Sequence, residues 1–305
     1  MVSAFRDRLR AAFAPPEFIA PPLSGIDLST SGVKAAHLDL GRHGLTLESY
    51  AQSRLDSGGY AEGEIVDRAA VVAAIKEAAQ AAGITAANVA LPESKSYLFE
   101  TTVEGKNRAE WRLAVEQHLE ELVPLPPAEA AFDIIEVGKD ERGATRISGV
   151  AFARRIVEDT LSAFDEAGIV VRALEGETYS MARALLPVGD TSTTLLIDVG
   201  KTTTKLAFVT ARIPRFAATI GIGGHALTLA VQKHFGVTEA EARKVKAERG
   251  IVPSPGNEDY IASMLSTVSA IRDEIAQRLV YWQEHAARDG VHAPVTHAIL
   301  AGGNA

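Results

Sequence analysis

Two stretches of the sequence each place an aspartate at the end of an apolar run and follow it with small hydroxyl and glycine residues. The first aspartate is Asp27, followed by Ser29, Thr30, Ser31 and Gly32; the second is Asp198, followed by Gly200, Thr202, Thr203 and Thr204. A lysine stands seven positions after each aspartate, at Lys34 and Lys205. The two aspartates are 171 residues apart, too far for a solenoid repeat, so the stretches predict two related domains in one chain.

This combination of residue types suits phosphate and magnesium chemistry. A tight turn of small residues directs several backbone N–H groups into one anion-binding concavity, and Ser and Thr hydroxyls add donors. A carboxylate repels phosphate but can hold Mg²⁺, usually through water, and Mg²⁺ bridges phosphate oxygens. We therefore interpret the pair as a clamp on a polyphosphate, with Asp27 and Asp198 as candidate magnesium residues. The alternative is two polar hairpins whose side chains bond only their own turns.

Two further glycine pairs extend the candidate site. Gly223 and Gly224 follow an extended stretch and open a predicted helix, whose first N–H groups attract anions. Gly302 and Gly303 follow a short apolar strand, where a flat ring could lie against bare backbone. Taken alone, the first pair also fits a close helix–strand crossing, and the second fits a simple turn.

Strands and helices must position these turns, and they alternate along the chain. Strands are predicted on both sides of each aspartate turn, and helices at 68–82, 108–122, 156–167, 178–186, 224–235, 239–249 and 259–287. This alternation predicts an α/β fold. The predicted divisions are a leader and proline-containing linker at 1–22, a first domain at 23–190 and a second domain at 191–305.

Composition excludes several classes of protein. The 305 residues include no cysteine, which excludes disulfide scaffolds, cysteine zinc sites, iron–sulfur clusters and thiol nucleophiles. A net charge of −8 argues against a nucleic-acid partner, because broad nucleic-acid binding needs a dense basic face. The sequence has no run of about 18 apolar residues, the length that a membrane-spanning helix needs.

The first fourteen residues have an amphipathic pattern of their own. Val2, Phe5, Leu9 and Phe13 recur at near-helical spacing with arginines between them. One interpretation is a short basic helix that contacts an anionic membrane surface. The other is a leader helix that frays in solution.

With these turns in place, the chain resembles the actin-like ATPase superfamily, which includes actin, sugar kinases and heat-shock chaperones. Within it, the chain is most similar to the PilM family of type IV pilus assembly proteins, relatives of the cell-division protein FtsA. The two aspartate turns and the final Gly-Gly turn are the superfamily signals. The narrower signals are Leu122-Val123-Pro124-Leu125-Pro126 and the helix that contains Glu239-Ala240-Glu241-Ala242-Arg243-Lys244. The likeness covers nearly everything from about Ser24 to the end.

The resemblance implies an actin-like fold of two RNase H-like domains, with a small α+β subdomain inserted in the first at about 96–174. It implies ATP and Mg²⁺ as cofactors, with Asp27 and Asp198 near the metal. The residues implied to bind the nucleotide are Asp27, Ser29, Thr30, Ser31, Lys34, Asp198, Gly200, Thr202, Thr203, Thr204, Gly223, Gly224, Glu241, Lys244, Gly302 and Gly303. Family members continue past the Gly-Gly turn with a helix and a strand, so the second domain is expected to be truncated here.

The family's role implies a cytoplasmic protein, peripheral to the inner membrane, that binds the N-terminal tail of a PilN-type membrane protein. The resemblance places that tail in a groove beside the inserted subdomain. Self-association stays open.

Enzymatic activity is expected to be weak. Glu177, at the predicted helix that joins the domains, is the nearest candidate to orient a water; its alternative role is that of a helix N-terminal glutamate. We therefore expect ATP binding with slow or no hydrolysis, with the nucleotide fixing domain closure. Two other functions stay open: an FtsA-like division protein and an actin-fold small-molecule kinase.

Overall fold

The computed structural model describes residues 23–41, 44–55, 58–250, 255–289 and 293–304. The predicted leader and linker at 1–22, including the amphipathic pattern of residues 1–14, lie outside the described residues. The chain forms two compact units, each assembled from separate segments. Unit 1 comprises 1–96, 125–131 and 152–177, and unit 2 comprises 97–124, 132–151 and 178–305. The boundary predicted between residues 190 and 191 stays a prediction.

The elements follow one another in the predicted α/β alternation. The strands are β1 (Ser24–Ser29), β2 (Gly32–Gly41), β3 (Gly44–Arg54), β4 (Tyr60–Ala61), β5 (Glu64–Ile65), β6 (Ala86–Leu91), β7 (Ser96–Val103), β8 (Ala130–Lys139), β9 (Thr145–Ala153), β10 (Val170–Gly176), β11 (Thr193–Val199), β12 (Thr204–Thr210), β13 (Ile213–Ile220) and β14 (His297–Ala301). The helices are α1 (Arg68–Ala81), α2 (Arg108–Gln117), α3 (Leu119–Leu122), α4 (Arg154–Glu166), α5 (Glu177–Leu185), α6 (Gly224–Phe235), α7 (Glu239–Arg249) and α8 (Glu258–Asp289).

Unit 1 is built on a five-stranded sheet in the order β10-β6-β1-β2-β3. β1 pairs antiparallel with β2 and parallel with β6, so its carboxyl end leads directly into the first aspartate turn. Asp67 is the N-cap of helix α1, and its carboxylate accepts the N–H of Ala70 at 3.1 Å. Its apolar residues recur at helical spacing and pack on the sheet, where Ile75 joins Val33 and Phe164 in a fully buried core.

Unit 2 contains a four-stranded sheet in the order β13-β12-β11-β14. β11 pairs antiparallel with β12 and parallel with β14, which is the arrangement of β1, β2 and β6 repeated. One face carries Phe208, whose ring stacks on Trp282 of α8 at 4.9 Å between centroids. The strand arrangement around β11 thus repeats the one around β1, and the prediction of two related domains stays a prediction.

A second, three-stranded sheet has the order β7-β9-β8 and is accompanied by α2 and α3. The helix predicted continuously over 108–122 is wrong in one detail: it is interrupted at His118, whose backbone leaves the helical region at φ −116° and ψ 14°. Asn107 begins α2 by accepting the N–H groups of Ala109 and Glu110. Most of this segment belongs to unit 2, and a subdomain inserted in the first domain at about 96–174 stays a prediction.

An ion pair joins this small sheet to the larger sheet of unit 2. Arg215 of β13 donates to Glu100 of β7 at 2.6 Å, and the Arg215 side chain is only 9% exposed. Arg146 of β9 lies 3.7 Å from the other carboxylate oxygen of Glu100. Separating the two side chains would leave each charge unpaired where water reaches it poorly, and that costs free energy. The ion pair therefore favours one position of β13 relative to β7.

Gly149 of β9 is a close-approach position in the small sheet. A Cβ atom there would collide with the buried ring of Phe99 on β7, and even the ring atom Cε2 would lie only 2.6 Å away. We expect Gly149→Ala to lower the free energy of unfolding by about 1–3 kcal/mol, the usual cost of overpacking a core. Urea denaturation would measure the loss. Gly25→Ala is the matched control, because a Cβ at Gly25 would have no atom within 4 Å; equal effects of the two variants would contradict the prediction.

Among the described helices, none combines the length and the apolar character required to cross a bilayer.

Candidate functional site

The first aspartate turn lies in unit 1, between β1 and β2. Asp27 and Lys34 face each other across the antiparallel ladder, with Lys34 Nζ 3.9 Å from Asp27 Oδ2. The hydroxyl of Ser29 donates to the carbonyl of Gly32 at 3.1 Å and shares a 2.9 Å hydrogen bond with the hydroxyl of Ser31. These hydrogen bonds within the turn stabilise it, and its two serine hydroxyls lie together beside the end of β1.

The second aspartate turn lies in unit 2, between β11 and β12. Asp198 faces Lys205 across its ladder, in the register that Asp27 and Lys34 adopt in unit 1. The loop is longer, because Val199 pairs with Thr204 and leaves residues 200–203 as the connection. The buried Thr204 donates its hydroxyl to the carbonyl of Ile222 at 2.8 Å, so this side chain fastens the aspartate turn to the next glycine turn.

Gly223 and Gly224 allow the start of α6 to approach that loop closely. A Cβ on Gly223 would lie 2.7 Å from the backbone of Thr202 and Thr203. The N–H of Gly224 donates to Gly200 O at 2.9 Å, and that of His225 donates to Lys201 O at 2.8 Å. The first two N–H groups of α6 are thus bonded to the aspartate turn, which is the close crossing that the sequence left open as an alternative.

The third turn of unit 2 follows β14 and meets the same place. Gly302 adopts a φ of +104°, and a Cβ there would lie 2.5 Å from both Asp198 Oδ1 and Val199 O. Gly303 is exposed, with no atom within 4 Å of its Cβ position. The next residue, Asn304, donates its backbone N–H to Val199 O at 3.2 Å. Three turns distant in sequence therefore converge on one junction, which we call the glycine cradle and define by Gly200, Gly223, Gly224 and Gly302.

Lys246 of α7 contacts the glycine cradle, and it was not among the site residues predicted from the sequence. Its ammonium donates to Gly224 O at 2.9 Å and to Asn304 Oδ1 at 2.6 Å. Burial lowers the pKa of Lys246, and the nearby Arg243 lowers it further. A sequence signal for it exists: Ala242 is the buried residue of α7, and Lys246 follows it by four residues on the same helix face.

The two residues of α7 that the resemblance selected have different surroundings. Glu241 forms a capping box with Thr238, whose N–H and hydroxyl both donate to its carboxylate at 2.8 Å. These bonds lower the pKa of Glu241. The side chain of Lys244 is 76% exposed, and its ammonium lies 3.9 Å from Glu248. A nucleoside contact of either residue stays a prediction.

In unit 1, Glu177 begins α5 and accepts the backbone N–H of Glu93 at 2.8 Å. Tyr60 is buried nearby, and its burial raises the pKa of its hydroxyl well above the usual value, with the negative charges of Glu177 and Asp27 adding to the effect. The charge of Glu64 adds to the same effect on Tyr60, and hydrogen bonds from Arg155 and Lys95 lower the pKa of Glu64 to about 2. Asp27 and Glu177 thus share one acidic neighbourhood around Tyr60.

The predicted site residues form one set in each unit. Unit 1 brings together Asp27, Ser29, Ser31 and Lys34, and unit 2 brings together Asp198, Gly200, Thr202, Thr203, Thr204, Gly223, Gly224 and Gly302. Within the described parts of the chain, no three His, Asp or Glu side chains converge as a ready-made metal cage. The chemistry that each set offers is that of a braced turn with small residues, a carboxylate and a lysine.

Comparisons with known proteins identify the fold and the family of the chain. The family model described as type IV pilus assembly protein PilM matches residues 25–305. A solved PilM–PilN type IV pilus biogenesis complex is similar over 93% of this chain and 82% of that chain, with 19% identity and a TM-score of 0.75. MreB 5 of Spiroplasma citri bound to AMPPNP is similar over 94% and 86%, with 16% identity and a TM-score of 0.54. The ethanolamine utilization protein EutJ from Carboxydothermus hydrogenoformans is similar over 95% and 79%, with 14% identity and a TM-score of 0.52. These likenesses confirm the predicted actin-like α/β fold.

Proposed function

The chain belongs to the type IV pilus assembly protein PilM family, and from that membership we propose that it is a cytoplasmic, nucleotide-binding scaffold of the pilus assembly platform at the inner membrane. The observation that carries the proposal is the family match over residues 25–305, which includes both aspartate turns and the glycine cradle. The FtsA-like and kinase alternatives lack a comparable observation.

ATP with Mg²⁺ is the proposed ligand. The two aspartate turns support it, because each combines a carboxylate with small hydroxyl and glycine residues, the residue types that suit Mg²⁺ and phosphate. Among the similar folds, the MreB 5 structure holds AMPPNP. The residues proposed to hold the nucleotide are Asp27, Ser29, Thr30, Ser31, Lys34, Asp198, Gly200, Thr202, Thr203, Thr204, Gly223, Gly224, Glu241, Lys244, Lys246, Gly302 and Gly303. Mg²⁺ would neutralise phosphate charge, with Asp27 and Asp198 holding it through water.

The proposed role of the nucleotide is to stabilise one conformation of the scaffold, since a ligand shifts a protein toward the state that it binds more tightly. Glu177, the candidate to orient a water, has its carboxylate engaged by the N–H of Glu93 at 2.8 Å. One carboxylate oxygen is therefore already engaged by the backbone, which favours a structural role for Glu177 over the orientation of a water. We therefore propose hydrolysis that is slow or absent.

The proposed partner is the cytoplasmic N-terminal tail of a PilN-type inner-membrane protein. The solved complex of PilM with PilN contains a protein of the same fold as this chain. Attachment through such a tail would hold the scaffold at the membrane surface and give it a peripheral location.

A peptide pull-down tests this proposal. We expect the protein to retain a synthetic peptide with the sequence of a PilN-type N-terminal tail. The amount retained should differ with and without MgATP, because the nucleotide stabilises one conformation of the scaffold that binds the peptide. A scrambled peptide of equal charge is the control. Absence of retention in both nucleotide states would remove the scaffold function, and equal retention of the scrambled peptide would reduce the interaction to unspecific charge attraction.

A further inference from the structure

The side chain of Asn304 lies inside the glycine cradle. Its Nδ2 donates to Gly200 O at 3.1 Å, and its Oδ1 accepts the ammonium of Lys246 at 2.6 Å. Its backbone N–H also donates, to Val199 O at 3.2 Å. One residue thus links the aspartate turn, the final turn and helix α7.

The carboxamide of Asn304 also fills the space beside Gly224. A Cβ atom on Gly224 would collide with the Cγ and Oδ1 atoms of Asn304, and Nδ2 would lie 2.5 Å away. The space that the missing side chain of Gly224 leaves is therefore occupied by the carboxamide of Asn304. A ligand that uses this part of the cradle meets the carboxamide of Asn304 first.

The hydrogen bonds of this carboxamide fix its position in the cradle. The bond from Lys246 is charge-assisted and short, and such bonds are about twice as strong as neutral ones. The acceptor Gly200 O also receives the N–H of Gly224, so Asn304 joins a network that already fixes the start of α6. The side chain is half-buried, which protects these bonds from competing water.

We propose that the side chain of Asn304 competes with the nucleotide for the glycine cradle. Its carboxamide occupies the cradle and holds the ammonium of Lys246 in a hydrogen bond until a ligand displaces it. On displacement, Lys246 exchanges Asn304 Oδ1 for an oxygen of a nucleoside phosphate or its ribose. This inference rests on the proposed nucleotide-binding function. Its consequence is a weakened, tunable affinity, because the apparent dissociation constant equals the intrinsic one divided by the fraction of molecules in which the carboxamide has left the cradle.

Calorimetric titration with MgADP and MgAMPPNP tests the inference. We expect Asn304→Ala and Asn304→Gly to bind about tenfold more tightly than the wild type, as follows if roughly nine-tenths of the molecules hold the closed arrangement. Without nucleotide, both variants should melt at a lower temperature than the wild type, because they lose the link between the turns. A residue that only braces the fold would lower the melting temperature and weaken nucleotide binding as well.

Two further variants sharpen the experiment. Asn304→Asp keeps the size of the side chain, forms an ion pair with Lys246 and adds a charge that repels phosphate, so it should bind more weakly than the wild type. Gln277→Ala removes an exposed carboxamide from α8 and should leave the affinity unchanged. Equal or weaker binding by Asn304→Ala and Asn304→Gly would overturn the competitor role while leaving nucleotide binding intact. Absence of binding by every variant and by the wild type would overturn the nucleotide-binding function itself.

Discussion

Asp198→Ala should abolish the thermal stabilisation that MgATP gives to the wild-type protein while leaving the fold intact. The carboxylate is the only group that this change removes, and the backbone of Asp198 keeps its ladder partners Lys205 and Ala301. A ligand at 100 times its dissociation constant stabilises the folded state by about 2.7 kcal/mol. For a chain of 305 residues that corresponds to a rise of about 4 °C in melting temperature, which differential scanning fluorimetry detects readily.

Asp273→Ala is the matched control for this experiment. Asp273 is an exposed acid of α8 that pairs with its neighbour Arg272, and it has no contact with the glycine cradle. The control should keep the full MgATP response. If Asp198→Ala gained as much stability from MgATP as the wild type, the proposed metal position in unit 2 would be wrong.

Gly223→Ala should prevent the glycine cradle from forming. The added methyl group would lie 2.7–2.8 Å from backbone atoms of Thr202, Thr203 and Gly200, none of which can rotate away. The φ of −141° at Gly223 is open to alanine, so the whole effect comes from this contact. We expect a loss of about 1–3 kcal/mol in the free energy of unfolding, and loss of the MgATP response, because the start of α6 must move.

Gly221 provides the control within the same loop, because a Cβ atom there would have no neighbour within 4 Å. Gly221→Ala should therefore fold with nearly the stability of the wild type and keep its MgATP response. Urea denaturation and the melting-temperature shift should separate the two variants. Similar behaviour of both would mean that the loop adapts and that the cradle does not depend on close backbone approach.

Much of the fold could be predicted from the duplicated Ile-Asp stretches. A lysine seven positions after an aspartate, with a turn between, predicts a hairpin, and both Lys34 and Lys205 do face their aspartates across a ladder. Apolar spacing predicted α1 because its core residues, such as Ile75, recur on one helix face. The local sequence pattern determines these two hairpins and this helix, and they keep the predicted form in the tertiary structure.

The composition of the glycine cradle could not be predicted in full, because it depends on contacts between distant residues. Lys246 and Asn304 meet across 58 positions of sequence, and neither belongs to a motif that specifies the other. The interruption at His118 was missed for a related reason: no proline or glycine marks it, so local propensity favours an unbroken helix. The sequence indicated which turns are candidates for phosphate and magnesium binding, whereas packing decided which side chains lie beside them.

The segmented make-up of unit 2 has a consequence for synthesis on the ribosome. Residues 97–124 and 132–151 belong to this unit together with 178–305. Glu100 leaves the ribosome 115 residues before its partner Arg215, and at about 5–20 residues per second the wait lasts on the order of 6–23 s. Until then the carboxylate of Glu100 lacks its ion pair with Arg215. The small sheet therefore acquires its link to the larger sheet of unit 2 only after its own strands have been synthesised.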